Sequence, residues 1–329
     1  MISSFFRILS ESIKSDPISN PFQHEHLSAK LTIIGSGSAL PTKSNFPTSQ
    51  MLELRNKQFL IDCGEGTQIR MRQMGLKNNH LGHIFISHLH GDHCFGLMGL
   101  ISTFGMLSHT SDIHIHAHSD LEKLLQPQLN YFCEKLPFQV IFHPINPSAH
   151  EIIYEDRTIQ VSSIPLKHRV PCCGFLFKEK AGDRHIKRDM IDFYNVPVWQ
   201  IGKIKQGADF TTEEGEIIPN DILTLPPTPP IRFAYCSDTA YSEKIIPIIE
   251  GVDLLFHEAT FMEGELPRAK ATMHSTARQA GEIAKKANVK KLIIGHYSAR
   301  YSLKSDLLNE AKQVFEHTVL GEDMTSYEF

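Results

Sequence analysis

The segment Ile86-Ser-His88-Leu-His90-Gly-Asp92-His93 puts four metal-capable side chains within six residues. Imidazole and carboxylate are the usual ligands of zinc and related ions. Residues 84–87 read as a strand that ends directly before the segment. A mostly apolar stretch, 95–104, reads as a helix that begins directly after it. The ligands therefore sit on one strand-to-helix turn, where Gly91 lets neighbouring side chains converge. Such a turn can serve two ions, with His88 and His90 on one and Asp92 and His93 on the other. The competing explanation is a chance cluster in a chain with 19 histidines; residue types and spacing would both have to match by accident.

Two ions need more ligands, supplied by His or Asp at the ends of other strands. His168 follows the run 158–164, Asp238 follows the run ending at Cys236, and His296 ends the run 292–295. An aspartate between two histidine-rich sites is the natural bridge. With Asp238 in that role the sites are His88/His90/His168 and Asp92/His93/His296. His114, His116 and His118 alternate on a strand-like run with no acidic partner at a matching turn, and are read as structural. His80, His83, His109, His143 and His150 have no supporting pattern.

The elements that must hold these ligands are short. Apolar or β-branched runs at 31–35, 51–54, 58–62, 84–87, 113–117, 140–144, 158–164, 232–236, 253–257 and 292–296 read as strands. Helices intervene. The clearest spans 277–287, where Thr276 and Gln279 can form a capping box and Ala280, Ile283, Ala284 and Ala287 keep helical spacing. The pattern predicts a layered α/β domain. At 329 residues the chain suits one large domain or two small ones. No run of about 18 apolar residues spans a membrane. Residues 1–28 are expected to be a leader outside the domain, with an apolar patch too short for a signal-peptide core. Six cysteines without a C-x-x-C pair read as reduced thiols of a cytoplasmic protein. The net charge of −4 says nothing for nucleic acid, so such a partner would need a local basic patch.

One stretch supplies that patch. Residues 178–205 carry seven basic and four acidic side chains, +3 against −4 for the whole chain. They open a region, to about residue 230, that lacks strong periodicity and reads as an insertion projecting from the body. Its ends, between the His168 and Asp238 segments, are expected to be anchored near the metals. A solvated excursion with no role is the alternative.

The motifs together resemble the ribonuclease Z family, tRNA 3′-processing endonucleases of the metallo-β-lactamase superfamily. The matching pieces span about 30–303: Gly35-Ser-Gly-Ser-Ala-Leu-Pro41, Ile61-Asp-Cys-Gly-Glu-Gly-Thr-Gln68, His88-x-His90-x-Asp92-His93, Pro165-x-Lys167-His168-Arg169, Asp238-Thr239, His257-Glu258-Ala-Thr260, His274-Ser-Thr276 and Gly295-His296-Tyr-Ser-Ala-Arg300-Tyr301. The H-x-H-x-D-H motif marks only the superfamily; the Pro-x-Lys-His, His-Glu-Ala-Thr and His-Ser-Thr pieces are narrower. The resemblance implies a four-layer αββα sandwich over 29–329, two zinc ions per chain, a homodimer, and a basic arm, about 178–205, that grips the elbow of precursor tRNA. Many family arms carry a Gly-Pro pair in the middle; this chain reads Asn195-Val-Pro197-Val-Trp199-Gln instead. The paired Cys172-Cys173 is a second departure.

The chemistry that follows is phosphodiester hydrolysis. Two ions a few ångströms apart can activate a water and clamp an attacked phosphate. Asp92, as the family suggests, would orient the water or take its proton. The leaving 3′-oxygen needs a proton, and His274 held by Glu258 fits an imidazole acid oriented by a carboxylate. Lys167 and Arg169 near the metals, and Lys187, Arg188, Lys203 and Lys205 on the arm, would meet phosphates. Amides of the loops 35–38 and 64–67 would line the phosphate path, unless their glycines only make turns. The rival enzyme is a small-molecule hydrolase or phosphodiesterase of the same fold, which would not need the arm. A binding module with a purely structural metal is disfavoured, because such sites tend to be closed and rich in cysteine.

Overall fold

The computed structural model describes residues 29–42, 45–77, 80–107 and 109–329. The expected leader, 1–28, lies outside them. On the strand Leu81–Phe85 and just beyond, Ile84 and Ile86 join one buried cluster and Phe85 another, as the two-residue period of a strand requires. Repeated along the chain, this alternation sorts the main core into three clusters, one for each interface of a four-layer stack. The middle one joins Leu31, Phe59 and Phe85 of one sheet to Phe175, Phe177, Tyr235 and Phe256 of the other. On the first outer face, helices Thr67–Gln73, Leu97–Met106 and Asp120–Phe132 cover Ile84, Ile113 and Ile115. On the second, Ala277–Lys286 and Ser305–Lys312 cover Ala234, Leu255, Leu292 and Ile294. The order is αββα.

The first sheet runs Thr325–Glu328, Lys30–Gly35, Ser49–Leu54, Lys57–Ile61, Leu81–Phe85, Ile113–Ala117, Val140–Pro144. The second runs Thr318–Leu320, Lys291–Gly295, Leu254–Glu258, Arg232–Cys236, Cys173–Glu179, Ile159–Pro165, Ile152–Glu155. Within each sheet the ligand-bearing neighbours pair in parallel: Lys57–Ile61 with Leu81–Phe85, and Arg232–Cys236 with Leu254–Glu258 and Lys291–Gly295. Their C-terminal ends therefore lie side by side, where loops of α/β sheets build sites.

Every strand expected from the sequence is present, three with the expected ends and the others shifted. The run at 84–87 is paired only to Phe85, because the chain beyond it turns into the ligand loop. The helix expected over 95–104 is Leu97–Met106, and a separate helical turn, Gly91–Cys94, precedes it in the segment expected as a turn. They are separated where Gly96 packs on backbone: a Cβ there would lie 2.1 Å from the Gly64 carbonyl oxygen. The strand Cys173–Glu179 was not legible. Thr276 and Gln279 do form the capping box of Ala277–Lys286.

His114 and His116 belong to a ladder with His83 and His143 across three neighbouring strands of the first sheet. His83 Nδ1 lies 3.1 Å from His116 Nε2, and His114 Nδ1 lies 2.9 Å from His143 Nε2. Each contact requires one ring to donate and a neutral partner to accept. Burial first, then the neighbouring imidazoles, lowers His83 to about 4 and His116 further. Lys57, Tyr154 and Asp156 face the same cluster. Folded values below the unfolded one make stability complete above about pH 6.5 and progressively lost as pH falls toward 4. A His83→Gln variant should show a shallower fall in urea midpoint between pH 6.5 and 4.5 than the wild type. Parallel curves would mean that the ladder does not titrate differently on folding.

The insertion has structure of its own. Lys178 and Glu179 are still strand residues, paired with Gln160 and Ile159. Residues 180–231 then form helices Arg188–Phe193, Val198–Lys205 and Asn220–Leu223 with two short antiparallel pairings. Ile191, Val196, Ile204, Phe210, Ile218 and Leu223 are its private core. Its root is not at the metals: Cys173 hydrogen-bonds Ser87 at one end of the strand, and Glu179 leaves at the other. Six residue steps separate them, roughly 20 Å of strand.

Candidate metal centre and active site

Seven side chains from four strand-end loops converge in two groups, His88/His90/His168/Asp238 and Asp92/His93/His296. In the first, His90 Nδ1 lies 3.0 Å from His88 Nε2 and 3.3 Å from His168 Nε2. Asp238 Oδ2 completes it, 3.5 Å from His88 Nε2 and 3.8 Å from His168 Nε2. In the second, Asp92 Oδ2 lies 3.5 Å from both His93 Nε2 and His296 Nε2. The other oxygen of Asp238, Oδ1, lies 3.5 Å from His93 Nε2 and 3.2 Å from His296 Nε2. Donors around a tetrahedral zinc with 2.0–2.1 Å bonds stand about 3.3 Å apart. Asp238 thus offers one oxygen to each group.

The ligand rings are oriented from behind. His93 Nδ1 donates to Asp62 Oδ2 at 2.8 Å, and His168 Nδ1 to the Met273 carbonyl at 3.0 Å. His88 Nδ1 reaches Ser87 Oγ at 3.0 Å. Thr260 Oγ1 gives its proton to Glu258 and accepts from His296 Nδ1 at 2.9 Å. With Nδ1 protonated, Nε2 keeps its lone pair for an ion. Two of these nitrogens, His93 Nε2 and His296 Nε2, are buried with no hydrogen-bond partner, a cost that a bound cation removes. Burial lowers His88, His90 and His168, favouring the neutral ligand form. Burial opposes charge on Asp92 and Asp238, but the surrounding imidazoles outweigh it and hold both carboxyls well below their usual range. Burial also lowers His93, yet Asp238 and Asp62 outweigh it and raise the ring. A pocket that asks a buried histidine for positive charge is one built around cations, so the residues fit divalent metal.

Asp62 is the residue that sequence reasoning missed. It is fully buried and accepts from Ser87 N, Ser87 Oγ, His93 Nδ1 and the Tyr235 hydroxyl. Its φ of 55°, with 59° at Met273 and 59° at His296, puts three non-glycine residues of this site in the left-handed region, strain of about 1–3 kcal/mol each. Asp62 stood in a quoted motif, but its partner Tyr235 is 173 residues away.

Glu258, fully buried, accepts from Thr239 N, Thr260 N and Thr260 Oγ1 and holds His274 Nδ1 at 2.8 Å. Burial lowers His274, but Glu258 outweighs it and raises the ring to about 9. His274 also falls in a third potential metal group with Asp238 and His296. Glu258 engages its Nδ1; on the expectation that the ring serves as a proton donor and not as a ligand, His274→Ala should keep its full metal content by elemental analysis. A loss equal to that of a ligand variant would move His274 into the coordination shell.

A cavity of about 440 Å³ opens over both groups, lined by Ser38, Glu65, Asp92, Arg169, His274 and His296 among others. Lys167 and Arg169 are exposed at its side of the domain, with the Lys167 amide tied to Thr239 Oγ1. The arm cations lie elsewhere. Lys187 Nζ donates to the Asp221 carbonyl, and Arg188 pairs with Asp192. Lys203 stands 6.0 Å over the Trp199 ring, and Lys205 ends the same helix. Over 180–231 six Lys and Arg meet eight Asp and Glu, a net −2, so the positive balance of 178–205 does not describe the whole insertion.

Curated relatives settle the family. Ribonuclease Z of Parabacteroides distasonis is 58% identical over 293 residues, covering 89% of this chain and 96% of that protein. Ribonuclease Z of Bacteroides fragilis is 57% identical over 294 residues, covering 89% and 97%. The chain belongs to the ribonuclease Z family. Residues 29–212, more than half of it, also match the family model described as Anti-Pycsar protein Apyc1. Among solved structures, human tRNase Z, short form, aligns with a TM-score of 0.66 at 22% identity, over 91% of this chain and 98% of that one. The metallo-β-lactamase fold protein YhfI from Bacillus subtilis aligns with a TM-score of 0.63 at 19% identity, over 92% and 100%. These likenesses bear on the fold, the metallo-β-lactamase sandwich. In this ribonuclease Z family member no helix of the described residues is long and apolar enough to cross a membrane.

Proposed function

We propose that the chain is a two-zinc endoribonuclease that removes the 3′ trailer from precursor tRNA and leaves a 3′-hydroxyl on the tRNA. The observation that carries this reading is the division of Asp238 between two ligand groups, with the Glu258–His274 pair beside them. His88, His90 and His168 would hold one ion and Asp92, His93 and His296 the other, with Asp238 shared. When bound, the ions supply Lewis acidity to a water and to the attacked phosphodiester.

The chain's own groups do the rest. Asp92 is ionised, fixed by the Ala39 amide at 2.8 Å, and accepts a proton or hydrogen bond from the attacking water. Arg169 and Lys167 balance the phosphate charge. His274, protonated and held at Nδ1 by Glu258, gives a proton to the 3′-oxygen as its bond to phosphorus breaks. Residues 29–329 form the hydrolase domain with the arm inserted, residues 1–28 a leader, and the working form is a cytoplasmic homodimer.

A general acid must be protonated, so kcat should hold below the His274 value and fall as pH rises through it. Glu258→Gln removes the charge that raises His274. Its alkaline limb should therefore move to lower pH, with a loss of about 100-fold or more at neutral pH. Bound cations lower the limb in both proteins alike, so the difference between the two profiles is the readout. An unmoved limb would take the acid role away from His274. The substrate class is tested by comparing turnover of a 3′-extended precursor tRNA with that of a cyclic nucleoside monophosphate. Preference for the cyclic substrate would favour the small-molecule phosphodiesterase.

A further inference from the structure

The loop after strand Lys30–Gly35 is held on both sides. Tyr297 N donates to the Ser36 carbonyl at 2.9 Å, and Ser38 N to the Tyr297 carbonyl at 3.0 Å. On the other side Ala39 N donates to the metal-group carboxylate of Asp92. This clamped loop is a partition. The cavity over the metal groups lies against Ser38, Ala39 and Pro41. A second cavity, of about 640 Å³, lies against Gly37, Leu40 and Thr42. Its far wall is the segment that follows ligand His296, including Ser298, Tyr301, Ser302, Leu303 and Lys304.

The second cavity has the dimensions and chemistry of a nucleotide site. Its volume exceeds the lower bound of about 300 Å³ for small-ligand pockets. Leu40 and Leu303 line it with two-thirds of their surface exposed (68% and 66%), offering apolar faces to a base. Tyr301 adds a ring whose hydroxyl is fixed by Met262 N at 3.0 Å. Lys304 Nζ, 4.8 Å above the Tyr297 ring, supplies a cation on a lining that also carries the Glu322 carboxylate. Serine hydroxyls at 298, 302 and 305 suit a ribose or base edge. Aromatic and apolar stacking with nearby cations is how single-stranded nucleic acid is held without sequence demands.

We propose that this cavity binds a ribonucleotide unit of the RNA strand adjoining the cleaved phosphodiester. It does so across the Gly37–Leu40 partition and sets how the scissile phosphate enters the metal site. The inference rests on the endoribonuclease reading and adds a second binding point to it. The partition transmits binding, since it joins the cavity floor at Tyr297 to Asp92.

The test uses the full chain loaded with zinc, and two variants: Ser302→Trp, which fills the cavity from an exposed position, and Lys304→Glu. Single-turnover cleavage is measured on a precursor tRNA with a six-nucleotide trailer. It is repeated on copies with an abasic unit at the last tRNA position or at the first trailer position. Bis(p-nitrophenyl) phosphate serves as the small substrate. Both variants should lose about 10-fold in kcat/KM on the intact precursor, chiefly through KM, and nothing on the small substrate. One of the abasic precursors should be cut equally by wild type and variants, and which one it is names the unit that the cavity takes. Variants that cut the intact precursor as wild type does, or lose both substrates in parallel, would overturn the proposal. Failure of the wild type to cut precursor tRNA at all would instead overturn the endoribonuclease reading.

Discussion

Replacing Asp238 with alanine is expected to abolish hydrolysis and to cost metal at both groups. Each of its oxygens faces a different set of imidazoles, 3.5 Å from His88 Nε2 on one side and 3.2 Å from His296 Nε2 on the other. No other side chain among the two groups is shared in this way. Lewis-acid stabilisation contributes several kcal/mol, and each 1.36 kcal/mol is tenfold in rate, so kcat/KM should fall by about 1,000-fold or more. His90→Ala, which strips one group, should also abolish activity but leave the other ion in place. Asp62→Asn acts only through His93 and its neighbours and should cost about 10–100-fold. Elemental analysis beside kinetics separates the three. Full metal content in inactive Asp238→Ala protein would remove Asp238 from the bridge.

The second large effect concerns the arm. Glu179 N donates to the Ile231 carbonyl at 2.9 Å, so the roots of the insertion meet and a short turn can replace 181–230. The private core of the arm leaves with it, and the three clusters of the sandwich keep their members. Cleavage of precursor tRNA should then fall about 100-fold or more through KM, since distant phosphate contacts carry much of the affinity. Hydrolysis of bis(p-nitrophenyl) phosphate should be nearly intact. The part of the salt dependence that the arm contributes should be shallow, a log–log slope of about 2 for Lys203 and Lys205. The insertion is net negative, and Phe193, Val198 and Trp199 are exposed on it, 72%, 83% and 71%. Equal losses on both substrates would make the arm a support of the fold, and unchanged tRNA cleavage would point to the small-molecule hydrolase.

The convergence of the seven side chains was legible because each is local: a His or Asp at the end of an apolar run, where parallel pairing aligns strand ends. A layered α/β domain was legible from the short apolar runs and intervening helices, whereas the αββα order came only from the family resemblance. What escaped depends on distance along the chain. Asp62 acts through His93, Ser87 and Tyr235, and no spacing rule joins those positions. In Cys173–Glu179 apolar side chains fall on both faces, Phe175 and Phe177 on one and Leu176 on the other, so the sequence lacks the apolar–polar alternation that marks a half-exposed strand. That the insertion is a folded unit was not legible, because its core is built from side chains spread over 191–223. Its root was placed at the metals because sequence neighbours of His168 and Asp238 were taken as spatial neighbours; the strand between carries the chain roughly 20 Å away.

Water attack on the trailer phosphate, with departure of the tRNA 3′-oxygen toward His274, is the central chemical claim. Cleavage of a 3′-extended precursor tRNA by zinc-loaded protein in water enriched in oxygen-18, followed by mass spectrometry of both products, tests it directly. The account predicts one heavy oxygen on the 5′-phosphate of the released trailer and an unlabelled 3′-hydroxyl on the tRNA. A 2′,3′-cyclic phosphate on the tRNA, or label in its 3′-hydroxyl, would contradict it.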